Sequence, residues 1–376
     1  MFGLKNKIIE NYEIYKKINK LCSKKIKIVF YSEDKTYLKF SYLLIELLSR
    51  IYPKQILYVS SDKNDYINGL DIKNLFIGKN FFLQYFFLKI KADNIFLTTT
   101  DLDNNLLKKT KNIKKYIYFF HSPISTTRGY TSGAFDNYDV ILCNGKYQID
   151  EIRKREKLHN LKKKKLIRSG YLYFDYLKKN FNLTKKKDQI LVAPSWNLKE
   201  KNFINEDFEK IIEKLLYYNY KVKFRPHPEH LKRSLNFINR VKSKFNSKNF
   251  FFDDEIQNIN SMKNAKCLIT DNSGIAIEFL LILKKPTLYY SSKKKIHNDE
   301  VKDYQSLRNM EDMVKNHFGF MFNYNKIDKI NVLIDMSIKN FSRKKINKIN
   351  KFAKKNFFNM FSTVKFIKNN IKEVLY

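Results

Sequence analysis

Lys266-Cys-Leu-Ile-Thr-Asp-Asn-Ser-Gly-Ile-Ala-Ile-Glu-Phe-Leu-Leu-Ile-Leu283 decides the fold. A strand-like run, Lys266 to Ile269, meets a polar segment, Thr270 to Gly274, and an apolar helix from Ile275 to Leu283 follows. This is the strand–loop–helix step of an α/β sheet, where ligands gather at the C-terminal ends of the strands. Upstream, Tyr220-Lys-Val-Lys-Phe224 runs in the same way into Arg225-Pro-His-Pro228. A helix mouth carrying Ser and Gly suits a phosphate, because its unpaired N–H groups and its dipole both favour an anion. An imidazole, a guanidinium and such a helix on one sheet edge point to chemistry on a phosphate or nucleotide diphosphate.

Outward from this stretch the strand and helix patterns alternate. Lys25–Ser32, Gln55–Ser61, Asn94–Thr99, Lys115–His121 and Asp139–Asn144 read as strands. Thr36–Arg50, Phe81–Lys91 and Gln148–Leu158 read as helices among them. The pattern breaks at Gly170–Asp175 and the polar Thr184–Asp188, then restarts. Strands are expected at Gln189–Ala193, Lys221–Phe224, Phe250–Phe252, Cys267–Thr270 and Thr287–Tyr290. Helices are expected at Asp207–Tyr218, Leu231–Phe245, Ile256–Asn264 and Ile275–Leu283. Alternation of this kind predicts parallel sheets covered by helices. The expected organisation is an α/β domain over 1–170, a linker over 171–187, a second α/β domain over 188–324 and a helical tail over 325–376, with a cleft between the domains. In the tail, Phe352, Phe357, Phe358 and Phe361 read as a core-facing stripe.

Composition excludes several classes. The 376 residues are 43% hydrophobic and 15% aromatic, enough for two cores and against wholesale disorder. Cys22, Cys143 and Cys267 form neither a CxxC pair nor a His/Cys cluster, so neither zinc nor a disulfide framework is expected; free thiols in a reducing cytoplasm fit better. The N-terminus lacks the apolar core of a signal peptide, and no apolar run is long enough to span a bilayer. A soluble or peripheral protein is expected. The formal charge of +37 has two readings, an anionic membrane partner or an AT-rich genome, since 64 of the 74 basic residues are Lys. Nucleic-acid binding is not expected, because the lysines spread along the chain without a recognisable motif.

His121 leaves a buried run into the Ser/Thr-rich His121-Ser-Pro-Ile-Ser-Thr-Thr-Arg128, a place for a general base acting on a hydroxyl. Arg225 and His227 flank prolines that stiffen their loop and preorganise donors for phosphoryl charge. Thr270, Ser273 and Gly274 offer hydroxyls and N–H groups at the helix mouth, and Asp271 is read as a cap for that helix. Glu278, one turn further on, is read as either a ribose ligand or a surface carboxylate. Asp101-Leu-Asp103 and Asp253-Asp-Glu255 read as a charged loop and a turn rather than metal ligands.

Arg225-Pro-His-Pro228, Thr270-Asp-Asn-Ser-Gly274 with Glu278, and Lys285-Pro286 together resemble the CDP-glycerol:poly(glycerophosphate) glycerophosphotransferases. Gly170 to Asp175 is similar to the family's Gly-x-x-x-x-Asp, and Pro194-Ser-Trp196 to its Pro-Thr-Trp. There are two departures. His121-Ser122 stands where the family has His-Gly, and Asn272-Ser-Gly replaces Tyr-Ser-Ser, with one hydroxyl fewer. The resemblance implies a GT-B fold of two Rossmann-like domains. It implies CDP-glycerol or a related CDP-polyol as donor, a lipid-linked glycan as acceptor and CMP as product, with no cofactor and no metal. His121 would activate the acceptor hydroxyl, while Arg225, His227 and the helix mouth would hold the phosphates. The place of action would be the inner face of the cell membrane, against an anionic lipid surface. A GT-B sugar transferase using a nucleotide sugar, and an inactive glycan- or lipid-binding relative, are the alternatives.

Overall fold

The computed structural model describes residues 2–104, 107–180, 188–197, 203–256 and 258–376, without the side chains of 2–5 and 7. Residues 181–187 of the expected linker, and most of its polar break, lie outside the described residues. The chain forms two compact units. The first comprises Met1–His121, Gly133–Tyr176 and Phe357–Tyr376, and the second Ser122–Ser132 and Leu177–Asn356.

The first unit holds seven strands: β1 Ile26–Ser32, β2 Ile56–Ser60, β3 Lys73–Phe76, β4 Ala92–Leu97, β5 Ile113–Phe119, β6 Val140–Leu142 and β7 Lys165–Ile167. Their spatial order is β3-β2-β1-β4-β5-β6-β7, and every pairing is parallel. Runs such as Ile56-Leu-Tyr-Val-Ser60 are buried at every position, as strands covered on both faces must be. The core joins Ile28, Phe30, Leu44, Leu48, Ile117 and Leu142 to Ile367, Val374 and Leu375 from the C-terminal helices. Gly170 marks where that terminal segment docks. Its φ is +97, and a Cβ there would lie 2.4 Å from the Phe358 carbonyl oxygen, so both conformation and space require glycine.

The second unit holds β8 Gln189–Val192, β9 Lys221–Phe224, β10 Phe250–Phe252, β11 Ala265–Thr270, β12 Thr287–Tyr290 and β13 Phe320–Phe322. The order is β10-β9-β8-β11-β12-β13, again all parallel. Counted within the unit this is 3-2-1-4-5-6, the doubly wound nucleotide-binding order, whose switch point lies between β8 and β11. Both faces of the sheet are covered. One carries Phe208, Ile212, Val222, Phe224, Ile327 and Ile334, the other Leu191, Met262, Leu268, Ala276 and Phe279.

Local structure differs from expectation in instructive places. The helix expected at Leu231–Phe245 starts earlier and breaks into Pro228–Arg233 and Leu235–Lys244. Pro228 supplies a preset first helical residue, and Ser234 leaves helical geometry at ψ 37. The helix expected at Ile275–Leu283 is continuous, but it is α only over Ile275–Glu278 and π over Phe279–Leu283. Lys284 ends it in a left-handed conformation, and Pro286 prevents resumption. In the tail stripe Phe357 is buried against Tyr147 and Phe174, whereas Phe352 is half-buried against Phe318. All three cysteines are buried free thiols, and burial pushes Cys22 up to about 11.

Candidate functional site

Ser195, just past the end of β8, is the hub of the second unit's switch point. Its backbone N–H and its hydroxyl both donate to the Asp271 carboxylate, at 2.7 and 2.8 Å. Its carbonyl oxygen lies 3.1 Å from His230 Nε2. The loops after β8, β9 and β11 are therefore tied together where a ligand of this sheet type sits. The loop after β12 joins them. Ser292 donates to Asp271 at 3.3 Å, and the Asn272 amide donates to Ser292 Oγ and to the Lys293 carbonyl, both at 3.0 Å.

The candidate residues divide into those that build this framework and those that face outward from it. Thr270 is fully buried, and its hydroxyl donates to the Ala193 carbonyl at 2.6 Å, stitching β11 to the end of β8. Asp271 is not the helix cap. Its oxygens are taken by Ser195 and Ser292, and no side chain caps the Ile275 helix. Ser273 is half-buried and makes no side-chain hydrogen bond among the described residues, so its hydroxyl remains at the helix mouth. Gly274 has an ordinary helical φ of −60. Space is what is tight there instead: a Cβ would lie 2.6 Å from Ser122 Oγ and 3.2 Å from Ile124 Cγ2, so the Ser122 hydroxyl would have to turn aside.

Ser122 and Ile124 belong to the segment 122–132, which packs within the second unit. Two anchors hold it to the helix Met310–Phe318. The Ser125 N–H donates to Glu311 at 3.0 Å while its hydroxyl receives the Met310 N–H at 2.8 Å. Arg128 forms a two-pronged pair with Asp312, at 2.8 and 2.5 Å. Burial raises the Glu311 carboxyl above its ordinary range, and burial lowers Lys295, against the pull of Asp271 and Glu311.

His227 caps the Pro228–Arg233 helix. Its Nδ1 accepts the Glu229 N–H at 3.2 Å, so the neutral ring carries its proton on Nε2 and presents a donor there. His230, one turn on, is fully buried, with its ring edge against Trp196 at 5.0 Å between centroids. Desolvation lowers it to about 4, so it is neutral near pH 7.

Arg225 is engaged elsewhere. One guanidinium nitrogen donates to Asp253 at 2.9 Å and another to the Glu255 carbonyl at 2.7 Å. The Asp253 side chain has no exposure and also receives the Ser261 hydroxyl. Arg225 thus fixes the loop after β10, and among the described residues no hydrogen bond links it to Thr270–Gly274. Glu278 is not on the surface. It is 6% exposed and accepts from Asn258 at 3.3 Å.

His121 lies in the first unit, two residues past β5. Its carbonyl accepts the Tyr171 hydroxyl at 3.0 Å, and its ring meets Tyr37 edge-on at 5.3 Å and Phe40 at 6.0 Å. Asp101 and Asp103 form a tight turn, with φ of +61 and +67. Among the described residues no group of three or more His, Cys, Asp or Glu could hold a metal ion. Sequence reading missed His230, Lys295 and the Asp253 partner of Arg225. Only His230 carried a signal, three residues from His227 on the same short helix.

Solved structures of the wall teichoic acid polymerase TagF align with all of this chain and 98% of their own, at TM-scores of 0.60 and 0.61 and 16% identity, the second from a crystal soaked with CDPG. The Methanocaldococcus jannaschii UDP-GlcNAc 2-epimerase, solved with UDP-GlcNAc and UDP, aligns with 93% of this chain and 99% of its own at TM-score 0.56 and 15% identity. These likenesses show a GT-B-type α/β fold. The minor teichoic acid biosynthesis protein GgaB of Bacillus subtilis is 25% identical over 185 residues, 42% of this chain; the match spans 19% of GgaB, a small part of that longer relative. The family model of the CDP-glycerol:poly(glycerophosphate) glycerophosphotransferases matches residues 17–354, and the chain belongs to that family.

Proposed function

We propose that the chain transfers glycerol phosphate, or a related polyol phosphate, from a CDP-linked donor to a hydroxyl of a lipid-linked cell-surface glycan. The observation that carries this reading is the convergence of three loop ends on Ser195, beside a helix mouth with a spare Ser273 hydroxyl and a His227 donor. In this reading the donor pyrophosphate takes hydrogen bonds from Ser273, from the N–H groups at Gly274–Ile275 and from His227 Nε2. Thr270 and Asp271 hold the mouth in shape, and Arg225 holds the neighbouring loop. Glu278 with Asn258 would take a ribose hydroxyl.

His121 is the base. The acceptor oxygen forms a bond to the β-phosphorus, its proton passes to the His121 imidazole, and the bond from that phosphorus to the CMP oxygen breaks. CMP leaves with the bonding electrons. A lipid-linked acceptor would put the work at the inner membrane face. No described helix is long and apolar enough to cross a membrane, and the charge of +37 favours an anionic lipid surface.

The test is a donor screen with purified protein and a lipid-linked glycan acceptor, comparing CDP-glycerol, CDP-ribitol and UDP-GlcNAc. Release of CMP from a CDP-polyol is expected. Release of a nucleoside diphosphate from UDP-GlcNAc alone would make the chain a sugar transferase, and no release from any donor would make it a binding relative.

A further inference from the structure

A cavity of about 360 Å³ opens at the amino-terminal ends of β1, β2 and β3. Six lysines line it: Lys20 and Lys24 around the end of the helix Phe2–Cys22, Lys25 and Lys27 at the start of β1, Lys54 before β2 and Lys73 opening β3. One carboxylate, Asp93, shares the lining, and Lys25 at 2.5 Å and Lys114 at 3.1 Å already neutralise it. Lys27 lies over the Tyr52 ring at 4.4 Å. Lys20, Lys24, Lys54 and Lys73 have no carboxylate partner among the described residues. Lysines scattered by composition alone would spread over convex faces. Here six of them line one concavity, within Coulomb range of an anion bound there. Lys54 also holds a left-handed backbone, φ +61, that a glycine would adopt without strain.

We infer that this cavity is a binding site for a phosphate-bearing anion, either a soluble phosphate ester or the headgroup of an anionic lipid. Its volume matches a group of pyrophosphate size with room for a polyol. It is separate from the residues of the proposed transfer. The sheet is parallel throughout, so the N-terminal ends of β1–β3 lie at the edge opposite the one from which His121 leaves β5. A seven-residue strand such as β1 sets those edges roughly 20 Å apart. The inference stands whether or not the chain is a glycerophosphotransferase.

Pyrophosphate binding to the full chain, followed by calorimetry in low salt, tests it. The pocket variant is Lys24→Gln/Lys54→Gln/Lys73→Gln. The control is Lys344→Gln/Lys348→Gln/Lys351→Gln, which removes the same charge from the exposed face of the helix Arg343–Asn356. The pocket variant should weaken pyrophosphate at least tenfold and the control less than twofold. A Lys24→Gln/Lys73→Gln double variant, expected to lose several-fold, serves should the triple fail to fold. Sedimentation with phosphatidylglycerol/phosphatidylcholine vesicles separates the sources. Loss of vesicle binding in the pocket variant identifies a lipid headgroup, and vesicle binding kept while pyrophosphate is lost identifies a soluble ester. Equal losses in pocket and control variants, or no pyrophosphate bound to the unaltered chain, would overturn the inference.

Discussion

Ser122 Oγ occupies the space that a side chain on Gly274 would need, 2.6 Å from the position of its missing Cβ. Ser122 and Gly274, one position from each departure from the family pattern, therefore meet at one contact. Where the pattern has glycine after the histidine and serine at the helix mouth, this chain has serine and then glycine. The hydroxyl is kept and moved across the contact. Gly274→Ser should destabilise the second unit by about 1–3 kcal/mol, the usual cost of overpacking. Adding Ser122→Gly should recover most of it. Urea unfolding of the two single variants and the double variant measures the coupling; additive effects would show that the contact does not bind the two positions together.

Arg225→Ala should unfold the protein before it reveals anything about ligands. It strands the Asp253 carboxylate, whose side chain has no exposure, and breaking a buried pair costs about 3–5 kcal/mol. Arg225→Ala/Asp253→Asn should be more stable than Arg225→Ala alone. If Arg225→Ala melts like the wild type and only loses donor affinity, the guanidinium belongs to the ligand instead.

His230 gives the second unit a pH dependence. Its folded pKa, about 4, lies below the ordinary 6.5, so the unfolded chain binds the extra proton between these values. Stability contributed by the neutral ring is complete above pH 6.5 and is lost as pH falls towards 4. The loss should be on the order of 3 kcal/mol, from a shift of roughly two to three units. Thermal unfolding from pH 4 to 7 should show a flatter profile for His230→Asn than for the wild type. Parallel profiles would mean that the imidazole is solvated.

His121 and His227 should separate kinetically. His121→Ala should lower turnover about 10²–10⁴-fold with donor affinity nearly intact, and His227→Ala should lower turnover and weaken the donor as well. Product formation and CDP-glycerol binding, measured for both, decide it. Normal turnover in His121→Ala would remove it as the base, and donor loss in that variant would move it to the phosphate side.

The central strands were legible because burial on both faces writes itself as continuous apolar sequence. Thr287–Tyr290 has the expected ends, and so do Lys221–Phe224, where charged and apolar residues alternate, and the all-phenylalanine edge strand Phe250–Phe252. Three strands were not legible: β3, β7 and β13, each at a sheet edge. Lys73-Asn-Leu-Phe76 buries only Leu75, and Lys165-Leu-Ile167 only Ile167, too little pattern to read. The site followed the same logic. Arg225, His227 and Thr270–Gly274 announce themselves through stiff or punctuated loops. Which of them face solvent and which hold the framework depends on partners far along the chain, such as Ser195 for Asp271 and Asp253 for Arg225.

The placement of Phe357–Tyr376 in the first unit bears on how the protein is made. Ile367, Val374 and Leu375 fill a core whose other walls come from β1, β2 and β5, more than three hundred residues before the last of them in the case of β1. During synthesis the second unit has all of its own chain once Asn356 has left the ribosome. The first unit emerges earlier yet must wait, its apolar face uncovered, for the final helices. The unit whose strands come earlier in this sequence therefore completes its core only after the strands of the other have been made, and its exposure to chaperones and proteases lasts until Phe357–Tyr376 are in place.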